Sequence, residues 1–125
     1  MKKVVFTDKA PKAIGPYSQA IWAGDFLYCS GQIGADPETG NVVPGGVKGQ
    51  AEQALKNIKA VLESQGLSFS NVVKSLVFLT DMANFADFNE TYGKVWDSEP
   101  PARSCVAAAG LPKGALVEIE VIACK

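Results

Sequence analysis

Arg103 lies in Pro100-Pro101-Ala102-Arg103-Ser104-Cys105-Val106, at the mouth of an otherwise apolar run. On the two-residue period of a strand, Arg103, Cys105 and Ala107 share one face, opposite Ser104, Val106 and Ala108. A guanidinium is always charged and presents a planar fork that matches a carboxylate. An edge-strand arginine in a surface ion pair accounts for the segment equally well. Two carboxylates follow in Leu116-Val117-Glu118-Ile119-Glu120-Val121-Ile122, both opposite Val117, Ile119 and Val121. Either could aim a water molecule as general base, and both could simply be the wet side of an amphipathic strand. Periodicity does not choose between them.

Tyr17, in Gly15-Pro16-Tyr17-Ser18-Gln19-Ala20, could wall a pocket or be a half-buried turn aromatic. Gly31, in Cys29-Ser30-Gly31-Gln32-Ile33, lies within a strand-like run, where glycine marks a bulge or a close approach. Cys105 reads as a small buried hydrophobe, since nothing near it in sequence supplies a base to activate the thiol. The chain has no histidine, which removes Ser-His and Cys-His pairs and imidazole-based metal sites. Neither H-x-E nor P-C-x-x-C of the zinc deaminases occurs. Chemistry here falls to carboxylate, arginine, tyrosine, thiol, hydroxyl or backbone groups.

These groups must be positioned by one domain's worth of chain, 125 residues with 47% apolar and 20% charged composition. The formal charge of −1 gives no basic field for nucleic acid. No run approaches the roughly 20 apolar residues that span a bilayer. Met1 to Phe6 turns polar at Thr7-Asp8-Lys9, without the apolar core of a signal peptide. Cys29, Cys105 and Cys124 are odd in number and widely spaced, which fits a reducing compartment. A cytoplasmic, soluble protein is expected.

Val4-Val5-Phe6 reads as a short strand, and Ser18 to Ala23 and Phe26 to Ile33 as a hairpin about Gly24-Asp25. Val47, Ala51, Ala54, Leu55, Ile58, Val61 and Leu62 recur at helical spacing, with Gly66 placed to cap the C-terminus. Val72 to Thr80 is apolar on both faces, as in a strand covered from both sides. A second helix is predicted over 84–96, with Phe85, Phe88, Tyr92 and Trp96 on its apolar face, ended by Pro100-Pro101. Strands over 102–108 and 116–124, joined by the turn Gly110-Leu111-Pro112-Lys113-Gly114, close the chain. The order β-β-β-α-β-α-β-β describes an α+β fold, a mixed sheet with two helices on one face. Two helices cover only half of such a sheet, so a partner subunit is expected on the other.

Read together, four blocks resemble the Rid (RidA/YjgF) family: 15–20, 30–33, Asn89 within Phe88-Asn89-Glu90-Thr91-Tyr92, and 100–122. The last is the most specific, with P-P-A-R-S-C-V, then L-P-K-G and V-E-I-E. The resemblance covers nearly the whole of residues 1–125 as a single domain. It implies a chorismate-mutase-like fold and a homotrimer with clefts between subunits. It also implies an enzyme, a deaminase hydrolysing 2-aminoacrylate, 2-aminocrotonate and their imine tautomers to pyruvate or 2-oxobutanoate and ammonia. Arg103 would then hold the substrate carboxylate and Glu118 the hydrolytic water. Tyr17, Ser30, Gly31, Asn89 and Cys105 match cleft-lining positions. No metal or redox cofactor is implied.

Two rival activities come from other classes: an endoribonuclease or translation inhibitor, and a ligand-sensing or chaperone-like trimer without turnover. The first is disfavoured by the missing histidine, because acid-base cleavage usually wants a group titrating near neutrality. The second does not require a water-directing carboxylate. With no imidazole and no clustered thiols, chelator treatment should leave fold and activity unchanged. Activity lost to a chelator and restored by zinc would contradict this reading.

Overall fold

The structure, a computed structural model, describes residues 1–125. Its strands are β1 (Lys3–Val5), β2 (Ala20–Ala23), β3 (Phe26–Cys29), β4 (Gln32–Ile33), β5 (Val72–Leu79), β6 (Ala102–Ala107) and β7 (Val117–Cys124). Helix α1 (Gly46–Ser64) lies between β4 and β5, and α2 (Phe85–Tyr92) between β5 and β6. The sheet runs β1-β2-β3-β7-β5-β6, with β4 also beside β7. All pairings are antiparallel except β5 with β6, whose parallel register is permitted by the α2 crossover.

Alternation along β7 separates two faces. Val117, Ile119, Val121 and Ala123 are buried, while Glu118, Glu120, Ile122 and Cys124 are half-buried on the other side. Register carries the buried face onto Ser75, Val77 and Leu79 of β5. There it meets Val47, Ala51, Ala54, Leu55, Ile58, Val61 and Leu62 of α1 and Phe88 and Tyr92 of α2 in one core. Both helices therefore cover the same face. Helix α1 stops at Gly66, whose φ of +73° lets Leu67 N–H reach Leu62 O at 2.9 Å and Gly66 N–H reach Glu63 O at 3.1 Å. Buried Asn57 donates to Ala35 O (2.9 Å) and ties α1 to the chain leaving β4.

The opposite face is open in the single chain. Register places Val4, Ile21, Tyr28 and Ile122 in one row across it, with Phe26 beside Cys124 and Phe78 beside Val106. Val4 is 60% exposed, Tyr28 47% and Val106 46%. Leu76 and Phe78 are half-buried there, so β5 is covered fully on one side only.

Two expectations need correction. The run 26–33 is not one strand: Tyr28 pairs with Ile122 and Gln32 with Ile119, so four steps on one side oppose three on β7. The extra residue is a bulge at Ser30-Gly31, pinned by Ser30 N–H to Gln19 O (2.9 Å) and Ser30 Oγ–H to Ser18 O (2.6 Å). It re-phases the alternation, turning Gln32 into the helix side, where it is buried. The second correction is to the helix predicted over 84–96: α2 ends at Tyr92 and continues only as a tight turn, Gly93–Val95.

Candidate functional site

The bulge brings Gly31 against β7, and its missing side chain is what the site needs. A Cβ there would run into the Glu118 carboxylate, with Glu118 Cδ at 2.8 Å and Cγ at 2.9 Å. Glu118 and Glu120 thus lie with Ser30, Gly31, Gln32 and Ile33 in a cleft of about 540 Å³ on the open face. One wall is the segment bearing Pro11, Lys12, Ile14 and Tyr17; the other is Pro37 to Gly40 with Pro112 and Lys113. Gln19, unremarked in the sequence, supports the first wall. Its Oε1 accepts from Thr7 N–H (2.7 Å), and its Nε2 donates to Thr7 O (3.0 Å) and Pro11 O (2.9 Å).

Burial raises the Glu118 pKa, and the neighbouring Glu120 charge raises it further. A carboxyl so placed is a stronger base when ionised than an exposed glutamate. Ser30 has already committed its hydroxyl proton to Ser18 O and lines the cleft as an acceptor. Tyr17 is 48% exposed, its hydroxyl oxygen accepting only a long bond from Ile14 N–H, 3.4 Å.

Arg103 stands elsewhere. Its register partner is Ser75, which faces the helices, whereas Glu118 pairs with Phe78 on the open face. Within one chain Arg103 and Glu118 therefore occupy opposite sides of the sheet. The Arg103 guanidinium is held by neutral groups alone. Nη1–H donates to Asn89 Oδ1 at 2.8 Å, and Cζ lies 4.9 Å from the Tyr92 ring centroid, 5.6 Å from Phe85 and 5.8 Å from Phe88. The Tyr92 hydroxyl is fixed by a 2.6 Å bond with buried Ser75. The chain's ion pairs are Lys48–Glu90 and Lys56–Glu52, so no carboxylate neutralises Arg103. The surface ion pair that the sequence allowed for this residue is absent. The three rings were legible only as an apolar helix face.

A smaller cavity of about 340 Å³ lies beside Arg103, lined by Tyr92, Gly93, Trp96, Asp97, Pro100 and Pro101. Cys105 shares Arg103's side of the strand and is half-buried. Burial raises its thiol pKa more than Arg103 lowers it, so the thiol is protonated and weakly nucleophilic. Buried Cys29 is pushed up to about 12. No group of three or more histidine, cysteine or acidic side chains comes together as a metal site, and no helix is long and apolar enough to cross a membrane.

The fold is an α+β sheet with a carboxylate cleft on one face and an arginine caged by aromatic rings at its edge. Residues 7–125 match the family model described as Endoribonuclease L-PSP. The chain belongs to this family, also known as YjgF/Rid. It is 53% identical over 125 residues to a RutC family protein of Pyrococcus horikoshii, covering 100% of this chain and 99% of the relative. It is 50% identical over 123 residues to the 2-iminobutanoate/2-iminopropanoate deaminase of Mus musculus, covering 98% and 91%. The crystal structure of RidA from an Antarctic Psychrobacter superimposes with a TM-score of 0.95 at 48% identity, over 98% of this chain and 99% of that one.

The electrostatics of the cleft can be measured directly. Carboxyl-carbon NMR should place the Glu118 midpoint above the ordinary carboxylate range, and Glu120→Gln should lower it only partway, because burial is the larger cause. A raised native pKa means the folded state holds this proton more tightly than the unfolded chain. Stability then falls as pH rises from the ordinary value through the raised one. Glu118→Gln should accordingly melt higher than wild type at pH 7, and an equal or lower melting temperature would contradict the assignment.

Proposed function

We propose that this protein is a deaminase that hydrolyses small 2-imino acids, and their enamine tautomers, to 2-oxo acids and ammonia. The observation that carries the reading is the division of two complementary groups. An unneutralised guanidinium sits on an edge strand, and a desolvated carboxylate sits in a cleft that glycine keeps open. The mouse relative, half of whose aligned residues are identical, is named for an activity of the same kind.

In this mechanism Arg103 receives the substrate carboxylate on its planar fork and fixes C2, an effective-concentration device. Ionised Glu118 accepts a proton from water as its oxygen bonds to C2 of the protonated imine. The C2–N π pair moves onto nitrogen, giving a carbinolamine. Protonated Glu118 gives its proton to that nitrogen, then takes the hydroxyl proton as the C–N bond breaks and the carbonyl forms. Ammonia is expelled, the 2-oxo acid is left, and that last proton is released to ammonia or solvent. One water is consumed, and no electron acceptor is needed. Tyr17, Ser30 and Gly31 form the wall and floor against the substrate, and Asn89 holds Arg103. Cys105 contributes bulk and backbone rather than a thiolate. The protein works in the cytoplasm on products released by amino-acid dehydratases.

Because one chain keeps Arg103 and Glu118 on opposite faces, the working site joins two copies. The arrangement proposed is a homotrimer with the open apolar faces packed inward, each cleft lying between adjacent subunits. Light scattering at micromolar concentration should give three times the chain mass, and a monomer would remove the composite site. Complementation is a sharper test. Arg103→Ala and Glu118→Gln proteins, each inactive, should regain about a quarter of wild-type activity after equimolar subunit mixing, since that share of interfaces receives both intact groups. A site contained in one chain would show no recovery.

The roles separate by substitution. Arg103→Lys keeps the charge but loses the fork, and should lower kcat/KM by about 1.5–3 kcal/mol of transition-state stabilisation. Glu118→Gln should lower kcat while sparing calorimetric binding of 2-oxobutanoate, and Arg103→Ala should abolish that binding. Wild-type affinity in Arg103→Ala would rule out Arg103 as the carboxylate anchor.

A further inference from the structure

Lys113 is the one non-glycine residue with positive φ, at φ 58° and ψ 24°. It follows Pro112 in a turn closed by Gly114 N–H to Leu111 O (3.2 Å), at the position where such turns favour glycine or asparagine. A left-handed lysine is retained only where surrounding structure holds it. Here the side chain supplies the reason. Its ammonium donates to Gly40 O at 2.5 Å, seventy-three residues away in sequence.

The loop it reaches is otherwise self-contained. Gly40 N–H bonds Asp36 O (2.7 Å), Glu38 N–H bonds Asp36 Oδ1 (2.7 Å), and Asn41 N–H bonds Thr39 Oγ1 (3.2 Å). From Pro37 to Gly40 the only hydrogen bond to another element is the one from Lys113. Both partners line the Glu118 cleft. Gly40 has a φ of +76°, and a Cβ added there would meet the ammonium at 3.4 Å, in van der Waals contact.

We propose that Lys113 is a specificity-determining residue: its bond to Gly40 clips the Pro37–Gly40 loop as the outer wall of the cleft and limits the size of the group carried on substrate C3. The inference rests on the deaminase reading for its substrate and on geometry alone for the clip. Lys113→Gly removes the ammonium and relieves the backbone, whereas Lys113→Met removes the ammonium and keeps the backbone strained. Lys113→Arg keeps a donor of similar reach.

The test compares kcat/KM for the imine of alanine with that for the imine of leucine, each generated in place by an amino-acid oxidase. Lys113→Gly and Lys113→Met should both shift the ratio towards the leucine imine by about tenfold, and Lys113→Arg should restore the wild-type ratio. A general structural role would instead make activity follow melting temperature, which should rise in Lys113→Gly and fall in Lys113→Met. Exchange of the Gly40 amide, read by NMR without any substrate, should accelerate by about fivefold in the glycine and methionine variants. An unchanged ratio in both variants overturns the size limit, and unchanged Gly40 exchange overturns the clip itself. A wild-type protein inactive on both imines would fail the deaminase reading, and the exchange measurement would still judge the clip.

Discussion

The pleat of the central strands governs everything else in this molecule. β7 lies between β3 and β5, and alternate residues must point to opposite sides of it. Val117, Ile119 and Val121 are committed to the helices, which forces Glu118 and Glu120 to the open face. On β5 the same requirement sends Ser75 and Val77 inward, and parallel pairing then sends Arg103 and Cys105 inward with them. A one-residue slip would expose Val117, Ile119 and Val121 on β7, or Val77 and Leu79 on β5, so the separation of cation from carboxylate is as firmly held as the core. A site requiring both must be completed from outside the chain.

The carboxylate and the guanidinium are set up in different ways. Glu118 is drawn partly out of water and set beside Glu120, which disfavours its ionised form and makes it the better proton acceptor. Arg103 is half-buried among partners that carry no charge: an amide oxygen and three aromatic faces. Those partners orient the guanidinium through its quadrupolar and hydrogen-bonding preferences while leaving its full charge for an incoming anion. An aspartate in place of Asn89 would hold the arginine as well but would already occupy it.

The strands, α1 and its glycine stop were legible because period two and period 3.6 are strongly written in β7 and in 47–62. The bulge was signalled only by a glycine inside a strand-like run, which offered a bulge or a close approach. Ser30, Gly31 and Gln32 are all small or polar and show no alternation to locate the extra residue. Arg103 and Glu118 were legible by type and by motif, yet their opposite facing depends on strand order, a non-local property. The aromatic cage was invisible for a related reason. Phe85, Phe88 and Tyr92 have the spacing of any core-facing helix, and only the parallel placement of β6 brings a guanidinium to them. Lys113, in an ordinary-looking turn sequence, became distinctive through its backbone conformation.

The family description speaks of an endoribonuclease, and the charge distribution bears on that activity. A polynucleotide presents a row of phosphates and is held by many cations at once. The cleft offers Lys12 and Lys113 against Glu38, Glu118 and Glu120, with Lys113 already engaged to Gly40. Successive phosphates crossing that floor would meet two carboxylates, Glu118 and Glu120, and at Glu118 burial and the neighbouring Glu120 charge already oppose ionisation. A ligand with a single carboxylate and a cationic carbon next to it has the opposite character. Its negative end needs one unneutralised guanidinium, and its positive end gains from each glutamate it approaches. Protonated 2-imino acids carry that dipole, so the features that discourage a polyanion are those that would suit a ligand of the proposed class.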